Sequence, residues 1–363
     1  MLVESLAHGY ARILTIVLVI ILVAILAGII MAASFHDGNM PPSNQFVTGG
    51  SPSRLRRGSG APRIIEVHVG EKKPKYGYDA HFIFRAFSND WIGNYMKRRH
   101  YLFDKHNLVS TWGMLTEMKS PIVFDVGANI GTMSIPFSRV AERVYAFEPQ
   151  SKLVQLLRAN VRLNKCDNIV VVQTAVGHKG TETEMDTTYI VNKDLDEDEL
   201  SYDTQLTVNY GAGRLGKGGE AVTMISIDDY CKQHGTERVD LIKVDVEGAE
   251  PLVFFGAKKT IRACRPAILY EQNYSSITQK MKQAMNLSDE VSNFNIDEYC
   301  GDHGYIAKVR LPKDNFLLLD EEKLKLCNMR ASANDALFVP TKIIENKMLL
   351  YDYVAPEWDG TPE

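Results

Sequence analysis

Several common chemistries lack their residues here. Cysteine is scarce: Cys166, Cys231, Cys264, Cys300 and Cys327 are the five, and no two stand in a CxxC pair. A structural zinc site is therefore not expected. The odd number leaves at least one thiol unpaired in a monomer, with one or two disulfides open if the domain is lumenal. His81, His100, His106 and His303 show no metal-ligand spacing. Charge of one sign is missing too: the 363 residues carry a formal net charge of −4, which gives no bulk electrostatic case for a nucleic-acid partner. No internal repeat recurs. The acid run Asp194–Glu199 lacks the spacing and glycine of a calcium loop. Gly211–Gly216 spells GxGxxG, but no apolar strand precedes it and a strand rather than a helix is expected after it, so it is not taken as a phosphate loop.

One long apolar run is present, Ile13–Ala33. It is uncharged and long enough to cross a bilayer as a helix. The rival is a cleaved signal peptide, which would have a shorter apolar core and a better small-residue cleavage site. The expectation is a signal-anchor helix at 13–33 behind a short cytoplasmic tail, 1–12. Arg12 on the short side and no Lys or Arg before Arg54 on the other predict a type II orientation, with a lumenal catalytic domain in the endoplasmic reticulum or Golgi. Residues 34–62, rich in Gly, Pro and Ser, form a flexible stem. Residues 63–120 mix aromatics with charge and predict a helical cover, with helices around Asn89–Phe103 and Thr111–Glu117. Its aromatics, Trp91 and Phe103 among them, are core residues first and sugar-stacking residues second.

From Pro121 apolar runs alternate with helical patterns, which predicts a mostly parallel twisted sheet with helices on both faces. Strands are expected at Ile122–Val126, Val144–Glu148, Ile169–Val176, Val222–Ile227, Val239–Val246 and Pro266–Glu271. Helices are expected from near Gly131 and at Ser151–Leu163, Asp228–His234, Glu250–Ala263 and Ile296–His303. Tyr305–Val309, Phe316–Leu319 and Ala336–Val339 should close the domain with an antiparallel pair. Thr187–Gly219 is an insertion, and 341–363 a carboxy-terminal extension.

In such a sheet ligands bind at the carboxyl ends of the strands, where strand order reverses. The polar residues at those ends are Asp125, Asn129, Glu148, Thr174, Asp245, Glu247, Glu271 and Asn273. Gly127 and Gly131 let backbone turn sharply against a ligand. Glu148 follows by about twenty residues, the distance at which an acid takes ribose hydroxyls. Asn129 stands where a dinucleotide loop needs glycine, and Asp125 beside the turn would repel a pyrophosphate. An edge of acids suits a cationic ligand such as S-adenosylmethionine.

Together these runs resemble the FkbM-type methyltransferases, a branch of the class I S-adenosylmethionine-dependent enzymes. The matching stretches are Asp125–Gly131, Phe147–Pro149, Ala175–Gly177, Ser226–Tyr230, Asp240–Glu250 and Asn334–Pro340, and the resemblance covers about 121–340. It implies a Rossmann-like fold and S-adenosylmethionine as cofactor. It implies that Gly127, Asn129 and Gly131 hold the methionine end, with Asp125 and Asp245 beside them. Glu148 would hold the ribose, and Ala175 would face the adenine. Asp245 and Glu247 are the candidates to take a proton from an alcohol acceptor; the alternative is that Asp245 only holds the cofactor's ammonium or caps a helix. Asp245, Glu271 and Asn273 are oxygen donors that suit Mg²⁺, but ordinary hydrogen bonding is the expectation and no metal is assigned. Lys243 is expected to pair with an acid.

The resulting expectation is O-methylation of a glycan or glycoconjugate hydroxyl. Methylation of a lipid, a small metabolite or a protein side chain is the enzymatic alternative, and a catalytically silent membrane-tethered binding module the other. Asn273-Tyr-Ser275 and Asn286-Leu-Ser288 fit the glycosylation sequon, which matters only for a lumenal domain.

Overall fold

The computed structural model describes residues 63–70, 81–186, 208–215, 219–272, 279–334, 337–343 and 348–354, all within the unit Ala61–Glu363. The expected tail, anchor and stem lie outside the described residues, as do most of the 187–219 insertion and Asn273. Among the described residues no helix is long and apolar enough to cross a membrane.

The cover is not purely helical. It opens with an antiparallel hairpin of β1 (Ile64–Val69) and β2 (Phe82–Phe87). Val67, Val69, Phe82, Phe84 and Ala86 point into the core, while Glu66, His68 and Arg85 face out. Helices then run at Trp91–Arg99 and Lys105–Glu117. Asp90 starts the first by accepting from the Gly93 amide at 2.8 Å. Residue 93 is glycine because a Cβ there would come within 2.5 Å of the Ala86 methyl.

Two asparagines one helical turn apart fasten the hairpin to the domain. Asn160 lies on the amphipathic helix Ser151–Leu163, whose Leu153, Leu156 and Leu157 are buried, and Asn164 is its C-cap. Asn160 accepts from the Arg85 amide at 2.6 Å and donates to the carbonyls of Arg85 (3.1 Å) and Ile130 (2.9 Å). Asn164 does the same at Ile83, at 3.0 and 2.7 Å. The two amides serve the open edge of β2 as a neighbouring strand would. Asn160→Ala should strand these buried groups and lower stability by about 2–3 kcal/mol, measured as a fall in the urea midpoint at unchanged slope.

The central sheet is built from β3 (Ile122–Val126), β4 (Arg143–Phe147) and β5 (Ile169–Val172). A second sheet takes β6 (Ala175–Val176), β7 (Thr181–Asp186), β8 (Arg214–Leu215) and β9 (Glu220–Ile225). The chain returns to the central sheet with β10 (Leu241–Val244), β11 (Ala267–Glu271), β12 (Tyr305–Leu311), β13 (Asn315–Asp320), β14 (Leu337–Ile343) and β15 (Leu349–Val354). The central order is β14-β15-β12-β13-β11-β10-β3-β4-β5. The run β5-β4-β3-β10-β11 is parallel, and β13 enters antiparallel to both β11 and β12. The expected parallel sheet with an antiparallel carboxy-terminal pair is therefore present. Strand order reverses between β3 and β10.

Three further expectations change. The strand expected over Ile169–Val176 is two strands in different sheets. The Thr174 amide donates back to Val172 O at 3.0 Å, and its hydroxyl donates to Thr223 O at 2.9 Å, which carries the chain out to β9. The helix expected over Glu250–Ala263 breaks into Glu250–Phe255 and Lys258–Cys264. At the break a Cβ on Gly256 would stand 2.0 Å from the Gly177 carbonyl, and the Gly256 carbonyl accepts from the Asp228 amide at 2.9 Å. The region beyond 340 is not simply an extension: β14 runs to Ile343, and β15 pairs with both β14 and β12. All five cysteines are free thiols.

Candidate functional site

The β3 strand ends in a turn of three left-handed residues, Gly127 (φ 79°), Asn129 (φ 51°) and Gly131 (φ 95°). The amides of Gly127 and Ala128 both donate to Phe147 O, at 3.0 and 2.9 Å, which locks the turn to the end of β4. A Cβ on Gly127 would lie 1.8 Å from the Asp245 carbonyl oxygen, so the two strand ends at the reversal point touch through bare backbone. Beneath them Lys243 is buried on β10. Its ammonium reaches Gly127 O at 2.9 Å, Asp125 at 3.3 Å and Asp245 at 3.5 Å. The salt-bridge role expected of Lys243 is the one it fills.

Above this lies a cavity of about 300 Å³. Of the residues expected at the site, Gly127, Asn129, Glu148, Ala175, Asp245, Glu247 and Glu271 line it. Asp125 and Gly131 do not. Asp125 is fully buried behind the turn, paired with Lys243 and bonded by the Ser134 hydroxyl. Gly131 faces the helix at Leu157, whose methyl would lie 2.7 Å from an added Cβ. Both residues shape the turn from behind rather than front the cavity.

At one end Glu148 accepts from the amides of Asn129 and Gln150, each at 3.0 Å. Burial raises its pKa to about 7 against the pull of those two amides. Each oxygen keeps a lone pair for a ligand donor. Ala175, Thr174, Met185 and Leu215 continue this end with a mostly apolar wall. At the other end Asp245, Glu247 and Glu271 converge. Burial and the charge of Asp245 push both glutamates up to about 8, with Arg214 and Lys243 pulling Glu247 back. Among the described residues no three His, Cys, Asp or Glu side chains group to hold a metal ion.

Sequence reasoning missed part of the wall. Asp104 and Lys313, paired at 3.4 Å, line the cavity from opposite ends of the chain. Lys313 sits in the β12–β13 turn, 4.6 Å from the Phe103 ring centroid, and Phe103 meets Trp91 edge-on at 5.1 Å. Gly211 and Gly213, set aside as a phosphate loop, pack their bare backbones on Asn129 and Gln150, and Gln150 donates to Tyr210 O at 3.0 Å. The segment is a wall because its glycines permit close approach, and no spacing rule marks that.

The strand order, the reversal-point cavity and the glycine turn with a buried acid at the next strand end define an open α/β protein of the nucleotide-binding type. Comparison then narrows the class: the Methyltransferase FkbM domain matches residues 125–307, half of the chain, and the chain belongs to that family. The 2-O-methyltransferase NoeI of Sinorhizobium fredii is 26% identical over 160 residues, 42% of this chain; the match spans 63% of that protein's length. Among solved structures, Methyltransferase FkbM from Methylobacillus flagellatus KT aligns at 16% identity and a TM-score of 0.29, over 56% of this chain and 52% of its own. A SAM dependent methyltransferase from Aquifex aeolicus aligns at 13% identity and 0.31, over 60% and 88%.

Proposed function

We propose that the protein is an S-adenosylmethionine-dependent methyltransferase that O-methylates a hydroxyl of a glycan or glycoconjugate. The observation that carries this reading is the acidic lining of the cavity: among the described residues, Asp104, Glu148, Asp245, Glu247 and Glu271 line it against one basic side chain, Lys313. Carboxylates with spare lone pairs accept from hydroxyls and favour a cation over a phosphate. Family membership and the similarity to a 2-O-methyltransferase support it. The donor set fits the cofactor. Glu148 would take the ribose hydroxyls, and the apolar end by Ala175 would take the adenine. Gly127 and Asn129 would lie along the methionine end.

S-adenosylmethionine, when bound, supplies an electrophilic methyl group on a positively charged sulfur. The chain's own part is to position the acceptor and take up its proton. Asp245 is committed to Lys243, so its role is to fix the acceptor end. Glu247 is the proton acceptor, because burial and the charge of Asp245 have raised its basicity. Trp91 and Phe103 offer aromatic faces to a sugar ring at the mouth. The apolar run Ile13–Ala33 supports a membrane-tethered, lumenal setting on sequence grounds.

The test is incubation of the full chain with methyl-labelled cofactor and a panel of glycans. Label in a sugar methyl ether is expected; label only in a lipid extract would overturn the acceptor class, and none anywhere the activity. With an acceptor in hand, kcat/KM should climb with pH and level off above about 8, because the base works only when deprotonated. Glu247→Gln should lower kcat by about a hundredfold and remove that inflection.

A further inference from the structure

The whole chain carries a net charge of −4, yet one stretch of the cover is basic: between Trp91 and Lys105 stand Lys97, Arg98, Arg99 and Lys105 against Asp104 alone. Lys97, Arg98, Arg99 and His100 are exposed, and among the described residues no carboxylate pairs with the first three. Those three fill the last turn of the helix Trp91–Arg99. One cation there would complement the helix dipole; three leave charge for a partner.

Aromatic rings connect this basic end to the cavity. Trp91 and Tyr95 are a helical turn apart, and Arg98 and Arg99 follow on the same side of the helix. Tyr101 meets Tyr95 edge-on at 5.8 Å between centroids, and Tyr95 lies 6.0 Å from Trp91. Trp91 and Phe103 then line the cavity. Cations stand among the rings. The Lys105 ammonium is 5.8 Å from the Tyr101 centroid, and that of Lys313 is 5.8 Å from the Tyr95 centroid. Burial and the Tyr95 hydroxyl push the Tyr101 phenol up to about 12, while Arg99 and Lys313 pull it back.

Rings interleaved with cations suit a sugar chain that bears carboxylates. An aromatic ring packs on the apolar face of a sugar, and a guanidinium pairs with a carboxylate. The cavity itself is lined by acids, so anionic groups belong outside it, on the ledge, while a neutral hydroxyl enters. A lipid surface suits the ledge less. The large apolar side chains exposed among the described residues are Ile64, Ile306 and Leu349, all off the ledge, so it presents no apolar side chain to insert among acyl chains.

We propose that this ledge docks an acidic glycan, with uronate carboxylates on Arg98 and Arg99 and sugar faces on Tyr95 and Tyr101, while a neighbouring hydroxyl reaches the cavity past Trp91. The proposal rests on the acceptor reading above and narrows it. Every ledge residue lies outside the matched family domain, 125–307, so the cover and the β12–β13 turn select the acceptor.

The probe is a hyaluronan hexasaccharide, set against the same oligosaccharide with its carboxylates reduced to alcohols. The readout is calorimetry on the full chain at low salt. Exposed ion pairs are individually weak and screened by salt, so as a set they should favour the acidic form by about tenfold, a gap that shrinks as salt is added. Arg98→Gln combined with Arg99→Gln should erase most of that gap. It should leave the affinity for the neutral form and for S-adenosylhomocysteine unchanged. No binding of the acidic form, equal affinity for the two forms, or a gap that the double variant keeps overturns the ledge, also where the chain binds phosphatidylserine vesicles instead. S-adenosylhomocysteine separates the two readings. Wild type that binds it without preferring the acidic form loses only the ledge. Wild type that prefers the acidic form without binding it loses only the methyltransferase reading.

Discussion

Lys243→Met is expected to destabilise the protein by about 3–5 kcal/mol, the largest stability effect of any single change at the site. The ammonium is enclosed by Asp125, Asp245 and the Gly127 carbonyl. Methionine fills similar space but leaves Asp125, with no solvent exposure, as a buried carboxylate facing only the Ser134 hydroxyl. Breaking one side of a buried pair costs more than the pair is worth, because the other charge is stranded. Adding Asp125→Asn to Lys243→Met should therefore recover much of the loss, and additive losses in urea unfolding would show that the two groups do not act as a pair. The pH dependence has a definite sign. Burial opposes the charge, but the carboxylates of Asp125 and Asp245 outweigh it and hold the ammonium above the ordinary lysine range. A raised lysine pKa stabilises fully below the unfolded value and is lost only as pH climbs through the folded one. The gap between wild type and Lys243→Met should then not narrow from about pH 6 to 9; a gap that closes in that window would mean the ammonium is not held as the geometry requires.

The same lysine shows what the sequence could disclose. Its strand, the glycine turn and the acids at the strand ends were legible because burial on both faces writes continuous apolar runs. Ile122–Val126 and Ser151–Leu163 fall where periodicity puts them. What a run does not state is which way its last residue points. Asp125, the last residue but one of β3, pairs across to Lys243 on β10, so it went behind the turn, while Asn129 and Glu148 came to the front. The hairpin of β1 and β2 does alternate, with Val67, Val69, Phe82, Phe84 and Ala86 inward, but this period-2 signal is short and was overshadowed by the aromatic-rich, charged composition of the whole segment. Its anchor, Asn160 and Asn164, looked like ordinary polar positions on an amphipathic helix. The split of Ile169–Val176 between two sheets depends on a tertiary contact, Thr174 to Thr223. Asp104 and Lys313 reach the cavity only after the cover and the β12–β13 turn close over it. Neither sits at a strand end, so the rule that located the other site residues passes over them.

Glu148→Ala should weaken S-adenosylhomocysteine binding by about a hundredfold or more, the largest ligand effect expected. A carboxylate taking two ribose hydroxyls contributes two charge-assisted bonds, each worth about 1.5–3 kcal/mol. The alanine also leaves the Asn129 and Gln150 amides without their acceptor, so the glycine turn is held to the next strand end only by the Gly127 and Ala128 bonds to Phe147 O. Glu148→Gln separates these contributions. It keeps a carbonyl oxygen for one amide or one hydroxyl, and should retain the fold while losing about tenfold in affinity. The pH dependence provides the sharper readout. Burial holds the free Glu148 carboxyl at about 7, and hydroxyl donors bind the ionised form. Affinity should therefore fall as pH drops below 7, approaching tenfold per unit, as one proton is displaced on binding. In Glu148→Gln that slope should vanish while weaker, pH-independent binding remains. A wild-type affinity flat from pH 5 to 8 would mean that this acid does not meet the ligand at all, whatever its position in the cavity.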